Sequence, residues 1–175
     1  MINDEKNDDM ELMKAALHRD GYLMVPKVLS ADVVGSMKSV LGDVVNAGRR
    51  GLLAIPEVRH LAESEVLMSL LRPLCPAVPF PVRAIYFDKS VETNWLVAWH
   101  QDLTIVVNQQ AELAGYGPWS VKNGPVHVQP PAEWLERMLT IRLHLDDADA
   151  ATPASRFGKN DQPSTSPSVA FGICL

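Results

Sequence analysis

Trp99-His100-Gln101-Asp102-Leu103 is the stretch on which the reading of this chain turns. It follows Leu96-Val97-Ala98, an apolar run of strand character, and leads into Ile105-Val106-Val107. Side chains alternate across a strand, so His100 and Asp102 project to one face and Gln101 to the other. An imidazole and a carboxylate on one face are two of the three donors of a 2-His-1-carboxylate iron site. Such a site leaves three coordination positions open to exogenous ligands. The pattern calls for a second histidine further along the chain.

Outward from this stretch the chain keeps a strand character. Pro76, Pro79 and Pro81 break helix, and Arg83-Ala84-Ile85-Tyr86-Phe87 reads as a strand. Residues 88–94 read as a loop. Leu103 to Val107 continues the sheet, and residues 108–137, dense in Gly and Pro, read as a long irregular connection. Within it, residues 131–137 suit one or two helical turns. Met138 to Leu145 alternates cleanly, with Leu139, Ile141, Leu143 and Leu145 on one face and Thr140, Arg142 and His144 on the other. Asp146-Asp147-Ala148-Asp149 ends that strand in an acidic turn.

The N-terminal third is helical in pattern. Residues 1–9 are polar and acidic, a frayed end. Met10, Met13, Ala16 and Leu17 mark a helix over 10–19 that Asp20-Gly21 stops. Tyr22 to Val25 reads as a short strand ended by Pro26. Ser30 is an N-cap for a helix from 31 to about 47, closed by Gly48, and residues 60–72 form another.

Bulk properties bound the function. The 175 residues suit one domain, 47% apolar and 21% charged, with a net charge of -5. No basic stripe exists to neutralise phosphates, which argues against nucleic acid as a partner. No apolar run approaches a membrane span, and the acidic N-terminus lacks a signal peptide's basic and apolar regions. Cys75 and Cys174 lie far apart without metal-ligand spacing, which fits free thiols in a reducing compartment. The expectation is a cytoplasmic protein acting on a small molecule, with no membrane partner; oligomeric state is open.

The order of these elements, with several local segments, resembles the phytanoyl-CoA dioxygenase family of Fe(II)- and 2-oxoglutarate-dependent oxygenases. The segments are Asp20-Gly21-Tyr22, Phe87-Asp88-Lys89, Asn94-Trp95 and above all Trp99-His100-Gln101-Asp102-Leu103. Gly117-Pro118-Trp119-Ser120-Val121-Lys122, His127-Val128-Gln129-Pro130-Pro131 and Leu143-His144-Leu145-Asp146-Asp147 also match a bacterial branch. The resemblance covers about residues 12–150. It implies an α+β fold with a mainly β core: N-terminal helices packed on a double-stranded β-helix, a cupin-like jelly roll, here incomplete. It also implies Fe(II) held by His100 and Asp102, with 2-oxoglutarate as cosubstrate. Gln101 lies in the segment that lines the cosubstrate site. Lys89 and Arg83 are candidates to reach cosubstrate or substrate carboxylates; the plain alternative for each is a solvated surface charge.

After residue 150 the family pattern stops. Its Asn-Gly turn, its Pro-Gly-Ser-His segment with the distal iron ligand, and the arginine that pairs with the far carboxylate of 2-oxoglutarate have no counterparts. No histidine follows His144, and Arg156 comes too early for the cosubstrate role. Residues 1–150 are therefore expected to be the N-terminal part of such a domain. Residues 151–175 are expected to be a Ser/Pro-rich tail of different character, as from truncation or a frameshift, in which only 168–173 could make a strand. His127 and His144 are the histidines that could substitute for the missing donor, the plain alternative being a surface or supporting imidazole. His18 and His60 are expected to face solvent. Trp95, Trp99, Trp119 and Trp134 are read as packing residues. Three readings follow: a hydroxylase of a small organic substrate; a non-catalytic member acting at most as a binding or interaction module; or an unrelated α+β binding protein in which His-x-Asp occurs by chance. Half a barrel should also leave strand edges uncovered and favour aggregation.

Overall fold

The structure, a computed structural model, describes residues 2–42, 48–75, 77–87, 103–122, 124–146 and 168–174. The chain is mixed α and β, with two small antiparallel sheets whose strands lie mostly after the first four α-helices.

Helix α1 spans Ile2–Asp20 and so includes the polar end read as frayed. Gly21, at φ 77°, closes it by donating its N–H to the Leu17 carbonyl at 2.9 Å. Residues 22–25 are not a strand: they join no ladder, and Met24 is 73% exposed. An apolar run has β character only where a neighbouring strand takes its backbone groups, and none does here among the described residues.

Helix α2 spans Ala31–Leu41, and the Ser30 hydroxyl accepts from the Val33 N–H at 3.4 Å. It ends at Gly42, with φ 60°, earlier than periodicity suggests. Its Met37 and Leu41 enter the core, with Val33, Val34 and Val40 packed against it. The helix expected over 60–72 is two: α3, Pro56–Ala62, and α4, Glu65–Leu71. Ser64 takes an extended backbone between them and restarts the helix. This break lets Val58, Leu61 and Ala62 of α3 and Leu67, Met68 and Leu71 of α4 all face one core.

The first sheet has the order β1-β2-β7-β6, from Gly48–Arg49, Phe80–Phe87, Ser168–Cys174 and Met138–His144. All its pairs are antiparallel. β1 comes so close to β2 that a Cβ on Gly48 would lie 2.8 Å from the Tyr86 carbonyl oxygen, so only glycine fits there. The second sheet has the order β3-β5-β4, from Ile105–Val107, Trp119–Val121 (β4) and Val126–Val128 (β5). β4 and β5 thus lie inside the stretch read as irregular. They form a hairpin, closed where the Lys122 N–H donates to the Pro125 carbonyl at 3.1 Å. Helix α5, Ala132–Leu135, follows as expected.

One face of the first sheet is apolar. Ala84 and Tyr86 of β2, with Leu143 of β6 and Leu145 just beyond it, are buried against the helices. Leu52, Val58, Leu67 and Val128 are the largest side chains sealed from water, each stabilising by about 1.5–3 kcal/mol. The Lys38 ammonium pairs with Asp146, tying α2 to the end of β6. No helix among the described residues is long and apolar enough to cross a membrane.

Candidate functional site

Strand alternation decides what the opposite face of the first sheet carries. With Ala84 and Tyr86 turned to the helices, Arg83, Ile85 and Phe87 of β2 turn the other way. With Leu143 turned to the helices, Thr140, Arg142 and His144 of β6 share that other face. β7 sits between them in register. Gly172 stands opposite both Arg83 and Thr140, Ala170 opposite both Ile85 and Arg142, and Ser168 opposite both Phe87 and His144. The grouping of Thr140, Arg142 and His144 is the one the sequence implies, but Arg142 and His144 are half-buried rather than solvated.

Burial acts on both groups. It lowers the Arg142 guanidinium from its usual value, though not enough to remove its charge. It lowers His144 too, helped by the Arg142 charge, so the imidazole is neutral at physiological pH. The His144 Nδ1 is buried without a hydrogen-bond partner among the described residues.

The second sheet brings His127. In the central strand β5 it stands opposite Val106 of β3 and Ser120 of β4. It is 8% exposed, and its Nδ1 is buried with no partner among the described residues. Burial lowers its pKa first; the charges of Lys122, Arg83 and Arg50 lower it further. Lys122 comes two residues after Ser120, on the same side of the hairpin as His127. Arg83 lies on the polar face of β2. Arg50 follows β1, two residues after Gly48, which pairs with Phe87. The sheets touch through β2 and β3, and the polar face of the first comes within electrostatic reach of the His127 face of the second.

Of the residues read as functional from sequence, Arg83 belongs to this polar face. His100, Gln101, Asp102 and Lys89 lie outside the described residues, as do Trp95 and Trp99. His18 and His60 are exposed. Among the described residues no group of three His, Cys, Asp or Glu side chains could hold a metal ion. Trp119 stands opposite Val128 across β4 and β5; Trp134, read as a packing residue, is instead 38% exposed and carries the Arg137 guanidinium 5.3 Å above its ring. Sequence reasoning did not single out Arg142, Arg50 or Lys122. The alternation placing Arg142 beside His144 was legible, but that this face is covered was not. No family model, no curated protein and no solved structure matches this chain.

Proposed function

We propose that the chain is an Fe(II)- and 2-oxoglutarate-dependent hydroxylase of a small organic substrate, of the phytanoyl-CoA dioxygenase kind. One observation carries this reading beyond the sequence. The face of the first sheet turned from the helices bears Arg83, Arg142 and His144, all three half-buried. The His144 Nδ1, buried and without a hydrogen-bond partner among the described residues, is costly to fold unless a ligand takes it up. The late strand β7 lies between β2 and β6, a long-range antiparallel pairing compatible with a jelly roll.

In this reading His100 and Asp102 are two metal donors and His144 is the third. His144 fits because it is neutral, with a buried nitrogen that lacks a partner. His127 fits worse, because three cations crowd it and oppose a dication. Arg142 takes the far carboxylate of 2-oxoglutarate. It precedes His144 by two residues on one face, an advance of about 6.6 Å along a strand. That spacing suits a dicarboxylate gripped at both ends, and a guanidinium binds a carboxylate in bidentate fashion. Gln101 and Lys89 line the cosubstrate, and Arg83 is left for the substrate. The chemistry a bound ferrous ion supplies is dioxygen activation coupled to decarboxylation of 2-oxoglutarate to succinate and carbon dioxide. The residues around it orient both acids and keep bulk water out.

Aerobic incubation of the full chain with Fe(II) and 2-oxoglutarate tests this. Slow succinate release is expected, lost in His100→Ala and His144→Ala. Folded, soluble protein that releases no succinate would instead be a non-catalytic member acting at most as a binding or interaction module.

A further inference from the structure

Helix α1 rests on the body of the protein through one narrow face. Met10, Met13, Ala16 and Leu17 are half-buried, while Glu11, Leu12, Ala15 and His18 are exposed. The ion pairs Lys14–Glu11 and Arg19–Asp20 lie within the helix and do not tie it down. Met10 and Met13 instead line an apolar groove with Ser69 and Leu70 of α4 and with Pro73 and Leu74 of the 3-10 turn that follows α4. The groove keeps an unfilled volume of about 100 Å³, so this contact is looser than a packed core. Methionine suits such a gap because its thioether chain is flexible and polarizable. The same sulfurs can be oxidised to sulfoxides, which puts a polar oxygen into the groove. Among the lining side chains none can meet that oxygen. Leu70, Pro73 and Leu74 carry no side-chain donor, and the Ser69 hydroxyl already donates to the Val66 carbonyl at 3.2 Å. A polar oxygen held there without a partner opposes docking. Met10 and Met13 are within reach of a small oxidant, whereas Met37 and Met68 are sealed in the core at 5% and 7% exposure.

We propose that Met10 and Met13 form a reversible oxidation site that releases α1 from its groove. A hydroperoxide is the oxidant. Its O–O bond breaks as a sulfur–oxygen bond forms; each sulfur loses two electrons, and the hydroperoxide is reduced to an alcohol, or to water when it is hydrogen peroxide. The proton of the transferred oxygen passes to the departing one. The sulfoxides then favour water over the groove, α1 leaves, and Leu70, Pro73 and Leu74 are uncovered. Enzymatic reduction of the sulfoxides restores the thioethers and the docked helix. The inference is independent of the hydroxylase reading, since it involves neither a metal nor the first sheet.

The test treats the metal-free full chain with hydrogen peroxide, locates the oxidised methionines by peptide mass spectrometry and follows limited trypsin digestion. Lys14 and Arg19 lie on α1, so cleavage after them reports its release, and cleavage after Arg59 of α3 reports loss of the core. Cleavage after Lys14 and Arg19 should become about tenfold faster once Met10 and Met13 are oxidised, with cleavage after Arg59 unchanged. Methionine sulfoxide reductases should return the slow rate. A chain carrying Met10→Leu and Met13→Leu keeps the groove apolar and should stay slow after peroxide. Met24→Leu removes a methionine that is 73% exposed and outside the groove, and should leave the acceleration intact. Three results overturn the proposal: Met10 and Met13 that resist peroxide while Met24 is oxidised, their oxidation without faster cleavage, or equal acceleration in the double leucine chain.

Discussion

Ser120 on β4 stands directly opposite His127 on β5, so Lys122, two residues further on, returns to the face that carries the imidazole. The hairpin thereby places a cation on the face of a buried histidine, whose pKa is lowered by burial first and by this charge second.

A pH dependence of stability follows. Burial, then Lys122, Arg83 and Arg50, hold His127 below its ordinary value near 6.5. As pH falls through that value the unfolded chain takes up the proton first, so the native state loses stability toward the lowered folded value. Above it this group contributes no slope. Urea midpoints should therefore fall as the pH drops below about 6.5. Lys122→Gln removes one of the cations and should flatten the drop; a slope identical to that of the parent chain would show that the charge does not act on His127.

The helical core should respond as a close-packed interior. Leu52 is 1% exposed and belongs to the cluster that joins α2, α3, α4 and the first sheet. Leu52→Ala should cost about 2–5 kcal/mol in chemical denaturation, from lost burial and the cavity left behind. A cost under about 1 kcal/mol would mean that the site collapses freely or is not core.

The Lys38–Asp146 pair should matter far less. Both side chains are more than two-fifths exposed, at 45% and 41%. Water and salt screen such a pair, so Lys38→Ala should change stability by about 0–1 kcal/mol. A larger loss, persisting in high salt, would contradict that view.

The first sheet depends on β7. Ala170 stands between Ile85 and Arg142, and the strand closes what would otherwise be two open edges. Ala170→Pro removes a ladder donor from a central strand, where proline is not tolerated. Loss of cooperative thermal unfolding and growth of aggregates in light scattering are the expected results. An unchanged melting transition would show that β7 does not hold the sheet together.

The strongly periodic parts of this fold were legible in sequence. β6 announced itself by seven alternating residues, and α2 by a serine cap and a helical stripe. The C-terminal segment around 168–173 was legible as a strand, but not its place between β2 and β6, since pairing across long chain separations leaves no local trace. β4 and β5 were hidden because three residues cannot show a period, and their flanking glycines and prolines read as loop. Residues 22–25 erred in the opposite direction, with strand composition but no partner. For the site, the sequence marked Arg83, His127 and His144. It could not show that Arg142 is half-buried or that Lys122 shares a face with His127, because the β4–β5 hairpin and the central place of β7 are not legible locally.

Whether His100 and Asp102 act with His144 on one metal is best settled by anaerobic titration of the chain with Fe(II) in the presence of 2-oxoglutarate, following the weak visible charge-transfer band of such complexes. A band that forms with the parent chain and is lost in His100→Ala, in Asp102→Ala and in His144→Ala is the expected result. No band from folded, soluble protein, or a band that survives all three substitutions, would contradict the assignment.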